Sequence, residues 1–575
     1  MIDWLLRKFK ENIFSWGGCF FLLVGFSVLF MGRAPQFGHD YKYFLPHLVE
    51  SADYTQKNWG IQYFTRFCGG FPSYGNPQSM QISLPGLLFL WLTPLDAMVV
   101  SVLLYCFLGY WGCYFFLRKM LDASKEVSAN GALIFSCNGF FFSHILSGHF
   151  SYITFPLIPW VLLFLFESDR SAEKRVQHLF LALSVLMAGS FIYSGGYWTV
   201  LVLGFSIFYF SLFIFGIRPR TLLGFVGLIF LLGISKLNAF LDLHPLLYHN
   251  YEISESNSVT GAILSVFSAL FLPPGLANYG VFNRAFGWWE LSAFISPFVL
   301  FSFFLKSPTE ETSYKTSYFR RAGHCALWGF LVLLAGGASS PARILSKIPF
   351  LSNYYLVARY ASFFILPLIV WHSRKVNLAT AFGFKGGSVA LHSKLKTRYL
   401  WGISLGGLIV FLLGFSQVVF FWPSRRNRID FDVRSVEYLP LGTIKTIEKR
   451  VDPILGGGAV ALNCYEPLLG YRHEGDKRQL KEGPIETLTE GRFNFTHPAC
   501  LVYPSLYQCE RWSRVGLSEK DNLNRFLNNE DPAWKIPYRQ SIANWISALT
   551  LLYLLGLAIR SSRHDAYWLS EVSDT

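Results

Sequence analysis

The chain is short of charge. Asp, Glu, Lys and Arg make up 15% of its 575 residues, where soluble domains carry about 25%. By length alone the prior would be three or four soluble domains at ~150 residues each. The composition argues otherwise: hydrophobic residues reach 52% and aromatics 18%, with 57 Phe and 17 Trp. That is more apolar surface than a water-facing exterior can hide. Intrinsic disorder, collagen-like fibre and a disulfide-dense mini-protein are excluded. No internal repeat or low-complexity tract interrupts the sequence, and the nine Cys show no zinc-ligand spacing. What remains is an all-α polytopic membrane protein.

The formal net charge is +14, which raises nucleic acid as a partner. Most of the basic excess lies in short loops between apolar runs, where cytoplasmic Lys and Arg set membrane orientation. No basic helix or base-stacking platform accompanies it, so no nucleic acid is expected.

A hydrocarbon core about 30 Å thick takes ~20 apolar residues of helix. On that measure about twelve spans are expected, near 12–32, 96–117, 127–146, 151–166, 177–193, 197–216, 221–237, 288–305, 324–338, 359–373, 399–422 and 541–559. The first is too long for a cleavable signal and lacks a small-residue cleavage site. With the N-terminus inside, the loops 118–126, 168–176, 217–220, 306–322 and 374–398 hold 3, 3, 2, 4 and 6 Lys+Arg. The outer turns 147–150 and 194–196 hold none. Both termini are therefore expected in the cytoplasm.

Three longer segments then fall outside. The first, 33–95, contains Ser83–Leu92, too short to span and better suited to the interface. The second is 238–287. The third, 423–540, is long enough for a small extracytoplasmic domain. The expected organisation is a membrane core over 1–422, that domain over 423–540, and a last span with its tail over 541–575. Cys500 and Cys509 lie in the outer segment and are candidates for a disulfide; unpaired thiols are the alternative. Asn494-Phe495-Thr496 fits a glycosylation acceptor, a triplet that also occurs by chance.

Ionisable groups are costly in lipid, so their depth is informative. Almost none lie at mid-span. Lys236 ends its expected helix on the outer side, Glu290 and Arg359 begin theirs there, and His149 occupies an outer turn. His39 and Asp40 lie just past the first span. A coupled transporter would place charges and broken helices near the midplane. Convergence on one face suits an enzyme whose substrate arrives through the lipid.

The stretch Gly38-His39-Asp40-Tyr41-Lys42-Tyr43-Phe44-Leu45-Pro46-His47 leads into Trp59-Gly60 and Gly69-Gly70-Phe71-Pro72. If helical, positions 40, 43, 44 and 47 share a face, although Pro46 is expected to kink or end that helix. Two further segments matter: Gly287-Trp288-Trp289-Glu290-Leu291-Ser292-Ala293-Phe294-Ile295, and Ile348-Pro349-Phe350-Leu351 followed by Ala358-Arg359-Tyr360. Together they resemble GT-C glycosyltransferases, polytopic enzymes that take sugars from lipid-linked donors. The resemblance covers about residues 1–420. Many members carry a second Arg in the last segment; here Val357 leaves Arg359 alone, against a two-Arg phosphate clamp.

The resemblance implies a GT-C-like core with its catalytic first outer loop at 33–95, in the bacterial inner (plasma) membrane, its active face extracytoplasmic. Asp40 and Glu290 become the catalytic candidates; His39, Tyr43, His149, Arg284, Arg359 and Tyr360 become substrate-binding candidates. The implied partners are a polyprenyl-phosphate sugar donor, a glycan, lipid or protein acceptor, and membrane lipids. No cofactor is required and no metal cage is visible, although carboxylates are compatible with a divalent cation. Each residue also has a plainer reading. Asp40 reads equally as a helix cap or membrane-flanking residue, Glu290 as a carboxylate favoured by a helix dipole, Arg359 as a snorkelling side chain and His149 as a solvated turn residue. The competing functional classes are a lipid-linked-sugar flippase or transporter and a non-catalytic envelope-assembly protein.

Overall fold

The computed structural model describes residues 17–20, 22–24, 40–66, 70–247, 258–272, 290, 292–300, 302, 318–346, 357–382, 443–445, 460–461 and 483–562. It is mostly helical. Six helices are long and apolar enough to cross a membrane: Asp96–Leu121, Phe150–Arg170, Lys174–Tyr193, Tyr197–Ile214, Pro219–Leu246 and Tyr538–Ser561. Two shorter apolar helices, Val259–Phe271 and Ala322–Ala335, accompany them. This is consistent with a polytopic membrane protein. The expected span near 399–422 and most of the one near 12–32 lie outside the described residues.

Local sequence explains where the helices begin and stop. Helix α1, Tyr41–Asn58, runs past Pro46, so the proline costs a hydrogen bond without ending it. A short helix α2, Leu84–Leu88, lies within the expected interfacial stretch, with Leu87 and Trp91 exposed. Helix α3, Pro94–Leu121, opens on Thr93, whose hydroxyl accepts from the Asp96 amide, with Pro94 in its first turn. It closes with Arg118 and Lys119 in its last turn, where cations suit the helix dipole. Its 28 residues extend about 42 Å at 1.5 Å each, enough to cross.

The span expected over 127–146 is two helices. α4, Lys125–Ser136, stops at Cys137, and α5, Gly139–Ser147, restarts with the Asn138 side chain accepting from the Phe141 amide at 2.8 Å. The break serves a packing need. Residues 292–295 form a non-helical strip that ends on Ser296 at φ +90°, and Phe294 accepts from the Gly139 amide at 2.7 Å. A Cβ on Gly139 would lie 2.4 Å from Ser292 Oγ and 2.7 Å from the Phe294 nitrogen, so only glycine admits this approach. On its other side the strip donates from Ala293 to Ala269 at 3.0 Å and from Ile295 to Leu270 at 2.8 Å. The span expected from 288 therefore opens as irregular backbone, which membrane proteins tolerate where it is buried in protein. Likewise Val357–Phe364 is a buried 3₁₀ segment ahead of the α-helix Ile365–Phe382. The outer segment expected over 238–287 holds the apolar helix Val259–Phe271.

The described part of the late polar segment includes a three-stranded antiparallel sheet: β1 (Leu488–Thr489), β2 (Arg492–Thr496) and β3 (Arg514–Gly516), with β2 central. Cys500 and Cys509 form a disulfide beside it, Cα atoms 6.0 Å apart. Asn494 is 3% exposed within β2, so the folded chain cannot present its triplet for glycosylation. A separate apolar core joins Phe493, Phe495, Val515, Phe526 and Trp534 to Phe64 of the first loop. The module is thereby docked on that loop. Asn529 bridges the Glu50 carbonyl at 3.1 Å and the Asp53 carboxylate at 2.8 Å, and Arg66 Nη1 donates to the Leu527 carbonyl at 2.7 Å.

Candidate active site

The first turn of α1 carries Asp40 at its cap position, yet its carboxylate makes no capping bond. Instead the Asp40 amide donates to the Ser147 carbonyl at 3.3 Å, pinning the start of α1 to the end of α5. At that end the chain turns through Gly148 at φ +102°, a left-handed cap that glycine takes readily. The turn swings His149 back so that its Nε2 contacts Asp40 Oδ2. His149 is thus paired, not merely solvated.

Two other segments complete the cluster. Glu290 lies just ahead of the non-helical strip, its Oε1 3.9 Å from His149 Nε2. Arg359, in the 3₁₀ segment, grips that carboxylate with both prongs of its fork: Nε to Oε2 at 2.5 Å and Nη2 to Oε1 at 2.6 Å. The geometry is that of the stronger, charge-assisted pairs. Its guanidinium also stands over Tyr152 at 5.5 Å and Trp198 at 5.9 Å. Asp40, Glu290 and Arg359 are each under a tenth exposed. Arg359 is therefore a buried, paired guanidinium and not a snorkelling one. Two carboxylates, one guanidinium and two imidazoles share the cluster, the second imidazole being His144, with its Nδ1 2.7 Å from His149 Nδ1.

Other sequence candidates are placed differently. Tyr43 is buried but reaches Asn76 through its hydroxyl, and its ring lies 4.8 Å from that of His47. Burial pushes the His47 imidazole down to about 3, so it is neutral. Tyr360 packs edge-on against Trp198 at 4.9 Å, one residue from the ion pair. Lys236 donates to the carbonyls of Tyr74 at 2.8 Å and Ser79 at 3.4 Å, so its ammonium holds the first loop. Cys500 and Cys509 belong to the outer module. His39 and Arg284 lie outside the described residues, as do Trp288 and Trp289.

His144, Tyr152 and Trp198 were not candidates on sequence. His144 sits within the expected span 127–146 among Phe140, Phe141 and Phe142, and reads there as membrane interior. The signal that could have exposed it is Asn138-Gly139, a helix-start pair in mid-span.

Among the described residues His144, His149 and Glu290 form a group able to hold a metal ion, with ligand atoms within 4.8 Å of one another. As arranged, the two Nδ1 atoms face each other and both Glu290 oxygens face Arg359. An ion bound there through His144 Nδ1, His149 Nδ1 or the Glu290 oxygens would have to displace these contacts.

No protein-family model matches the chain, and no curated protein matches it. Among solved structures it is similar to the cryo-EM structure of the arabinofuranosyltransferase AftD from Mycobacteria, at 14% identity and a TM-score of 0.41. The likeness covers 75% of this chain and 29% of that one, so the chain spans under a third of that protein's length. Similarity at this level carries no inference about chemistry.

Proposed function

We propose that the protein is a membrane glycosyltransferase that moves a sugar from a polyprenyl-phosphate donor to an acceptor hydroxyl on the extracytoplasmic face. One observation supports this above the others. Asp40, His149, Glu290 and Arg359 come from four distant stretches of sequence and meet in one buried cluster. Sugar nucleotides are cytoplasmic, so an outward-facing transferase needs a donor carried across on lipid.

In this reading Asp40 takes the proton from the acceptor hydroxyl as its oxygen bonds to the anomeric carbon. The bond from that carbon to the phosphate oxygen breaks, and a single displacement inverts the centre. The departing lipid phosphate gains negative charge, which Arg359 stabilises. Glu290 occupies only part of the guanidinium fork, leaving other N–H donors for the phosphate. Glu290 thereby becomes the group that orients Arg359. The protein would sit in a bacterial inner membrane, with an envelope glycan, lipid or protein as acceptor.

Purified protein in proteoliposomes, supplied with a panel of polyprenyl-phosphate sugars and short glycan acceptors, tests the reading. Transfer with inversion supports it. Donor movement across the bilayer without any transfer would favour a flippase, and donor binding with neither activity would favour an assembly protein.

A further inference from the structure

We propose that His144 is a positioning residue: through its Nδ1 it fixes His149 in the tautomer that carries its proton on Nε2, aimed at Asp40. The inference deepens, and rests on, the reading of Asp40 as the base.

The two imidazoles meet edge to edge. Their ring centres are 4.9 Å apart, the Nδ1···Nδ1 distance of 2.7 Å plus the two ring radii, so the nitrogens point directly at each other. A single proton must lie between them. His149 Nε2 meets the Asp40 carboxylate, which in its ionised form only accepts, so Nε2 holds the His149 proton. Neutral His149 then has a bare Nδ1, and His144 must be the donor. The rest of His144 agrees. It is fully buried, and its Nε2 has no hydrogen-bonding partner among the described residues. A proton on that nitrogen would be stranded, which is costly; a bare lone pair is the better tenant.

Packing holds the donor in place. The His144 ring lies between Tyr152, near-parallel at 4.4 Å, and Phe140, edge-on at 4.6 Å. Its carbonyl takes the His149 amide at 2.9 Å and Ser147 Oγ at 2.9 Å, which sets the turn carrying His149. The chain of contacts therefore runs from the His144 Nδ1–His149 Nδ1 hydrogen bond to the ion-pair contact of His149 Nε2 with Asp40 Oδ2. Without the first donor, His149 can carry its proton on Nδ1, and Asp40 no longer meets an N–H from His149.

The test is solid-state NMR of full-length protein in lipid bilayers with ¹⁵N-labelled histidine rings, His149 being assigned by difference against His149→Gln. Wild type should show His149 protonated at Nε2 and bare at Nδ1. His144→Leu should move the proton toward Nδ1. His144→Asn, whose amide nitrogen can occupy the place of Nδ1, should restore the wild-type signal. Transfer activity should follow, falling at least about tenfold in His144→Leu and recovering in His144→Asn. A wild-type proton on Nδ1, an unchanged signal in His144→Leu, or metal-induced shifts of both rings on adding Mn²⁺ or Zn²⁺ would overturn the proposal. If the tautomers behave as stated while wild type transfers no sugar, the positioning stands and the glycosyltransferase reading falls.

Discussion

At the scale of single residues, the Glu290–Arg359 pair has the clearest energetic consequence. Removing one partner of a buried pair leaves the other charge uncompensated, at a cost of about 3–5 kcal/mol. Arg359→Ala should therefore lower the thermal midpoint in detergent, and adding Glu290→Gln should recover much of it without recovering transfer. Arg359→Lys keeps the charge but loses the two-pronged grip, so partial activity is expected. Unchanged stability in Arg359→Ala would mean the pair does not form. The sequence made Asp40, His149, Glu290 and Arg359 visible because charge beside lipid is rare. Their pairings were not visible: nothing in the chain says that Asp40 leaves its helix cap bare and turns to His149. His144 stayed hidden because a histidine among phenylalanines reads as part of a span.

At the scale of elements, hydropathy finds apolar helices to within a few residues but cannot separate a span from buried non-helical chain. That is why residues 292–296, hydrogen-bonded to both α5 and the end of the Val259–Phe271 helix, were expected as helix. The outer module offers two tests of its own. The Cys500–Cys509 bridge closes a loop with a sequence separation of 9, for which loop entropy gives about 2–3 kcal/mol. Cys500→Ser should weaken the module by that order, and peptide mapping without reductant should recover the two cysteines joined. The second test concerns Glu519, whose carboxyl is held below its usual range by the His497 imidazole 2.9 Å away, against opposing burial. A depressed folded pKa stabilises above the unfolded value, about 4.3, and that contribution is lost as pH falls through the folded value. The module should thus loosen below about pH 4. Glu519→Gln should flatten that part of the profile; a profile identical to wild type would remove the pair from the account.

For the whole molecule, the Lys+Arg asymmetry of the short loops implies a direction across the membrane. Ser518 is exposed on the docked module, and Ala172 is exposed in a basic loop. A cysteine at 518 should react with an impermeant reagent from outside, and one at 172 only after permeabilisation; the reverse would invert the protein. The docking itself was not legible in the sequence. It relies on backbone carbonyls and on Asn529 at φ +58°, features that composition does not encode. By seating the module on α1, these contacts brace the helix whose cap position is Asp40. The most direct measurement is sugar transfer from a defined polyprenyl-phosphate donor by Asp40→Asn beside Asp53→Asn. Asp53 is half-exposed on the same helix, paired with Lys57 at 3.1 Å. Asp40→Asn should lose about 10²–10⁴-fold, or roughly 3–5 kcal/mol of transition-state stabilisation, with folding intact, while Asp53→Asn stays near wild type. Full transfer by Asp40→Asn would contradict the account.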